Sequence, residues 1–127
     1  MYWYCVMVAG LLPYFCALIA KSKMPLSANR HPRLHTSDLK GYRARANWAQ
    51  QNGFEAFPFF ATAVIAAHVE GVAKDTLNIL ALCFVVLRVL YTVAYIADYP
   101  TIRTFLWGLG FCCALYLLLQ AGILSIQ

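Results

Sequence analysis

The chain has 127 residues, 62% of them hydrophobic and 12% charged, with a net charge of +5 and a mean hydropathy of +0.64. That is too apolar for a soluble domain of this size. At about 20 residues per helical crossing there is room for four membrane spans and short loops, but for no separate soluble domain.

The first expected span runs from about Tyr2 to Ala20, with Pro13 as a potential kink. Its positive charges, Lys21 and Lys23, follow the apolar run instead of preceding it, so it reads as a retained helix and not as a cleaved leader. Seven of the ten Lys and Arg residues then lie in Lys21 to Arg45, together with His31 and His35. Pro25, Pro32, Ser27 and Asn29 predict an irregular loop there, with helix resuming near Asp38 or Leu39. The second span is expected over residues 46–68 and the third over 77–97, ending at Asp98-Tyr99-Pro100. After a tight connection, Thr101 to Thr104, the fourth covers 105–124 and has no ionisable side chain beyond its tyrosine and cysteines. The basic loop and Arg103 fall on one side of the membrane and Lys74 on the other. The excess of positive charge predicts a cytoplasmic loop and both termini on the non-cytoplasmic side. Cys5, Cys16, Cys83, Cys112 and Cys113 all lie in apolar runs and are odd in number. They imply neither a disulfide framework nor a metal site, and read as small buried hydrophobes.

The residues that demand explanation are polar ones inside the spans. A charged group near the bilayer centre costs about 2.5–3.5 kcal/mol on insertion scales and marks a candidate functional site. Arg45, Asn52 and Glu55 share a helical face, with Trp48 and Phe59 on or near it. Arg88, Tyr91, Tyr95 and Asp98 form a second stripe. Glu55 and Arg88 sit at similar depth, about 15 Å below the surface at 1.5 Å per residue, so an ion pair between them is expected. The tyrosines would then hydrogen-bond between helices, either as structural glue or as the wall of a positive pocket open to the cytoplasm and suited to an anionic ligand.

Arg45-Ala46, Gln50 and Asn52-x-x-Glu55-x-x-Pro58 resemble the second-span signature of the MAPEG family, the membrane-associated proteins in eicosanoid and glutathione metabolism. Arg88-Val89-Leu90-Tyr91-Thr92-Val93-Ala94-Tyr95 with Ile102-Arg103-Thr104 resembles its third-span signature, especially that of the microsomal glutathione transferases and prostaglandin E synthase. The resemblance spans essentially the whole chain. It implies an all-α, integral membrane four-helix bundle assembled as a homotrimer, with glutathione as co-substrate between subunits. Carried over, Asn52, Glu55, Tyr91 and Tyr95 would hold glutathione, Arg88 would set the geometry of Glu55, and Arg45 and Gln50 complete the implied binding set. Arg103 would stabilise the thiolate, with Thr104 hydrogen-bonding the same sulfur. Trp48 stands where eicosanoid-synthesising relatives carry arginine, and Tyr91 where the prostaglandin enzyme has histidine. Both departures argue against an assumed eicosanoid substrate.

Two functions follow. One is a glutathione transferase or peroxidase acting on lipophilic electrophiles or lipid hydroperoxides drawn from the bilayer. The other is a non-catalytic subunit that kept the scaffold for assembly in a larger complex. Lipids, glutathione and further copies of the chain are the expected partners, and nucleic acid is not. A bacterial inner membrane is the expected location.

Overall fold

The computed structural model describes residues 1–25, 30–31, 36 and 38–126. Arg33 and His35 of the basic loop lie outside the described residues. The described residues build four long helices: α1, Tyr2–Lys21; α2, Gly41–Val69; α3, Lys74–Ile96; and α4, Pro100–Leu124. α1, α3 and α4 are each long and apolar enough to cross a membrane. The remaining helix, α2, has 29 residues and length to spare, but its first half carries Arg43, Arg45, Gln50, Gln51, Asn52 and Glu55. Its crossing therefore rests on what its neighbours do for those groups.

The helices run up and down. Tyr2 N–H donates to Asn78 Oδ1 at 3.0 Å, and the Tyr2 hydroxyl lies 3.0 Å from His68 Nδ1. The start of α1, the end of α2 and the start of α3 are thus tied together at one end. At the other end Arg43 Nε donates to the Ala20 carbonyl at 3.0 Å and Arg45 Nε to the Ile96 carbonyl at 2.9 Å. Both acceptors belong to the last turns of α1 and α3, where carbonyls have no partner within the helix. Two arginines from the start of α2 thus satisfy orphan carbonyls and place positive charge against the negative ends of two helix dipoles.

The two ends of the bundle differ in chemistry. Phe60, Ala63, Val64 and Ala67 of α2 pack with Leu77, Ala81 and Phe84 of α3 and with Ala114, Leu117 and Ala121 of α4, closed off by Tyr2, Cys5 and Ala9. Small residues dominate this core. In lipid, where apolar burial between helices gains little, they let backbones approach closely enough for dispersion to hold them. The rings of Phe60 and Phe84 stack at 3.8 Å and 5° at the centre. The other half, built from the start of α2, the end of α3 and the start of α4, holds the polar groups.

α2 begins at Gly41, close to the expected resumption of helix near Asp38 or Leu39. Helix boundaries depart from the sequence expectation at one place. α4 begins at Pro100, so Thr101 to Thr104 form its first turn and not a separate connection. The reason is local. α3 ends in paired bonds from Asp98 N–H to the Tyr95 carbonyl at 3.2 Å and from Tyr99 N–H to the Ala94 carbonyl at 2.9 Å. This closes the helix with Asp98 at φ 71°. Pro100, pre-set for the first helical position, starts the next helix at once.

Asp98 is an L-residue in a left-handed conformation that costs about 1–2 kcal/mol. Its carboxylate meets Arg45 Nη1 at 3.5 Å, but the side chain is 69% exposed. An ion pair so solvated contributes about 0–1 kcal/mol. Asp98→Gly, which relieves the backbone, is therefore expected to leave the melting temperature in detergent unchanged or raised. Asp98→Ala, which keeps the strain and loses the pair, is expected to lower it. Equal shifts for the two variants would contradict this account.

Candidate functional site

A cleft opens between α2, α3 and α4 in the polar half of the bundle. It has two lobes that share Asn52 and Trp107. The first, of about 290 Å³, is lined by those two with Tyr91, Tyr95, Arg103 and Thr104. The second, of about 190 Å³, continues deeper past Glu55, Ala56 and Arg88 to Phe59, Phe84 and Phe111. Together they reach the lower part of the size range of small-molecule sites, about 300–1,000 Å³.

The polar lobe is built by cations seated on tyrosine rings. Arg103 Cζ lies 4.4 Å from the Tyr95 ring centroid and Arg88 Cζ lies 4.3 Å from that of Tyr91. The two tyrosines meet edge to face, with centroids 5.6 Å apart at 78°. This layout follows from spacing. Tyr91 stands three residues and Tyr95 seven after Arg88, so all three share the face of α3 turned to the cleft. Arg103 reaches the same face from the first turn of α4. Within the described residues the tyrosines make their contacts through their rings, so both hydroxyls remain available in the lobe. Thr104 turns its hydroxyl back to the Pro100 carbonyl at 3.0 Å.

The expected ion pair between Glu55 and Arg88 is not formed. Arg88 Nη2 donates instead to Asn52 Oδ1 at 3.0 Å, while Glu55 stands exposed at the rim of the deeper lobe. The cause is geometric. Arg88 is only 5% exposed, and the short Asn52 side chain reaches it from inside the bundle, whereas Glu55 lies one turn further along on the open side. Behind the guanidinium a cavity of about 10 Å³ touches Cys16, Thr92 and Gly53, just the size of a single water.

The other residues expected at the site are placed elsewhere. Arg45 is engaged by the end of α3 and by Asp98, and neither Arg45 nor Gln50 lines either lobe. Trp48 points outward, 51% exposed, and also lines neither. The aromatic wall was not expected. Trp107 and Phe111 follow Arg103 at four-residue steps, a spacing that puts all three on one face of α4. In an apolar helix that pattern is indistinguishable from ordinary lipid-facing residues until the partner helices are known.

The fold and the cleft define a class: an all-helical integral membrane bundle with a cationic, tyrosine-lined site opening into an apolar slot. The MAPEG family model matches residues 1–123, essentially the whole chain, and the protein belongs to that family. No curated protein and no solved structure matches it.

Proposed function

We propose that this protein is a membrane glutathione transferase or peroxidase, activating the glutathione thiol for attack on lipophilic electrophiles or lipid hydroperoxides. The observation that carries the reading is the junction at Asn52 and Trp107, where a cationic lobe fit for a charged tripeptide meets an apolar lobe fit for a hydrophobic partner. Membership of the MAPEG family supports a glutathione-related function in the membrane.

In this reading Tyr91, Tyr95 and Asn52 hold the peptide backbone, and Glu55 receives its ammonium group. Arg103 stands beside the sulfur, with Thr104 able to rotate toward it. Arg88, buried and bonded to Asn52, holds the cleft's geometry; Arg45 acts from outside it by fixing α2 to α3. α2 forms the fourth crossing of a single four-helix domain. The exposure of Glu55 and Trp107 in the isolated chain fits a homotrimer in which a neighbouring subunit closes the cleft. The basic segment and the cleft mouth face the cytoplasm, both termini lie opposite, and a bacterial inner membrane is the setting.

The test is glutathione binding to the detergent-purified protein, with thiolate formation followed by ultraviolet difference absorbance. Saturable binding that generates thiolate is expected. Protein that shows neither would sink the proposal.

One observation favours a second reading, a non-catalytic subunit. Arg45 and Arg88 are already bonded within the chain, as structural groups would be. That reading predicts that Arg88→Leu weakens the oligomer and that glutathione stabilises neither the variant nor the parent.

A further inference from the structure

Arg103 projects from the first turn of α4 on a long, partly exposed side chain. Among the described residues its guanidinium forms neither a hydrogen bond nor an ion pair, and the contact that fixes it is the Tyr95 ring, whose centroid lies 4.4 Å from Cζ. That ring is itself braced. It meets Tyr91 edge to face, and Tyr91, only 3% exposed, carries Arg88 Cζ 4.3 Å over its own face. Arg88 in turn donates to Asn52 of α2. Arg88, Tyr91, Tyr95 and Arg103 thus form one row, cation, ring, ring, cation, running from the buried frame to the start of α4. The chemistry of the seat matters as much as its place. A carboxylate there would hold the guanidinium but cancel most of the field that it exerts on a neighbouring anion. A tyrosine ring attracts the cation through its negative face and carries no net charge, so the arginine is held with its charge intact. Glu55, the carboxylate of the cleft, lines the other lobe.

We propose that Tyr95 is a positioning residue for Arg103: its ring face holds the guanidinium beside the sulfur without neutralising it, and Tyr91 holds the ring. The proposal rests on the thiol-transfer reading above. The role belongs to the ring and is separate from any hydrogen bond that the Tyr95 hydroxyl gives to the peptide. An arginine that leaves the ring swings into solvent, where its charge is screened from the sulfur. Loss of the ring therefore makes the bound thiol a weaker acid, although the cation is still present in the chain.

The experiment follows the pH profile of thiolate absorbance at saturating glutathione in the wild type, Tyr95→Phe and Tyr95→Leu. In Tyr95→Leu the midpoint of thiolate formation is expected to rise by about half to one pH unit, roughly a three- to tenfold loss in the thiol's ionisation constant, the worth of one cation–ring contact. Tyr95→Phe keeps the ring and loses the hydroxyl, so its midpoint should stay at the wild-type value while its KM for glutathione rises. A Tyr95→Leu midpoint equal to that of the wild type overturns the proposal, whatever happens to the melting temperature. A Tyr95→Phe midpoint raised as far as that of Tyr95→Leu also overturns it, because the effect would then belong to the hydroxyl. Should Tyr95→Leu fail to fold, the contact is read by NMR in the wild type and Tyr95→Phe, with the Arg103 side chain assigned from its loss in Arg103→Lys. Nuclear Overhauser contacts between the Arg103 Hδ protons and the ring at position 95 are expected in both proteins, and their absence overturns the proposal. The same spectra keep the two failures apart. A wild type that forms no thiolate yet shows these contacts refutes the thiol-transfer reading and supports the seat; one that forms thiolate without them refutes the seat alone.

Discussion

Arg103→Ala is expected to leave the bundle folded and glutathione largely bound while turnover falls about 20- to 100-fold at pH 7. The size of the effect follows from the thiol. With an ordinary pKa of about 8.5 it is only about 3% ionised at pH 7, and a fall of two units makes it about three-quarters ionised. That accounts for about 25-fold, and the loss of charge stabilisation at the reacting sulfur supplies the rest. The fold is insulated from the change. Arg103 is partly exposed in the first turn of α4, its side chain leans on the Tyr95 ring, and its backbone N–H bonds the Tyr99 carbonyl at 3.0 Å. None of these contacts carries the core, which lies in the opposite half of the bundle.

The pH dependence distinguishes this role from simple loss of binding. With Arg103 in the proposed role, the wild-type thiol is expected to be ionised well below pH 8 and the rate to be level across neutral pH. In Arg103→Ala the rate rises with pH until the thiol passes its ordinary pKa. The defect should therefore shrink by about an order of magnitude between pH 7 and pH 9. A binding defect would not shrink that way. Arg103→Lys keeps the charge but loses the flat guanidinium that lies on Tyr95, and it is expected to fall between the two. Stopped-flow thiolate formation and steady-state turnover across that pH range make the check. An alanine variant with full turnover at pH 7 would remove Arg103 from the chemistry.

The sequence announced helix number, the polar half and the stripes on α3, because those depend on short-range periodicity. Arg88, Tyr91 and Tyr95 fall together for that reason, and so does the pairing of Asn52 with Glu55 on α2. What periodicity cannot supply is the rotation of one helix about its axis relative to the next. Asn52, not Glu55, therefore meets Arg88. Arg43, which reads as part of a charge run, and Arg45, expected on the binding face with Asn52 and Glu55, prove to be caps for helices 23 and 51 residues away along the chain. The aromatic wall was hidden for a related reason. Trp107 and Phe111 look like lipid-facing residues until α2 brings Phe59 alongside. The start of α4 at Pro100 could have been read from the Asp98-Tyr99-Pro100 run, where a left-handed closure and an N-terminal proline leave no length for a loop.

α1 and α2 approach closely at Gly10 and Gly53, and filling the tighter of the two should have the second large effect. A Cβ built on Gly53 would lie 2.8 Å from Pro13 Cγ and 3.4 Å from Pro13 Cβ. A pyrrolidine ring cannot swing aside as a leucine could, so in Gly53→Ala α1 and α2 must move apart by several tenths of an ångström. Overpacking of this kind costs about 1–3 kcal/mol. The gain of about 1 kcal/mol in helix propensity from glycine to alanine offsets only part of it. The site feels the change because Asn52, the next residue, carries the bond to Arg88. Gly53→Ala is therefore expected both to lower the melting temperature and to weaken glutathione binding. Gly108→Ala, where nothing lies within 4 Å of the new Cβ, should do neither. Pro13→Ala removes the Cγ that collides, so the cost of Gly53→Ala should drop sharply in that background, a coupling of about 1 kcal/mol or more in a double-mutant cycle. Additive effects would mean that α1 does not set the rotation of α2. Strong coupling would make a glycine–proline contact between two helices the element that decides which side chain of α2 faces Arg88.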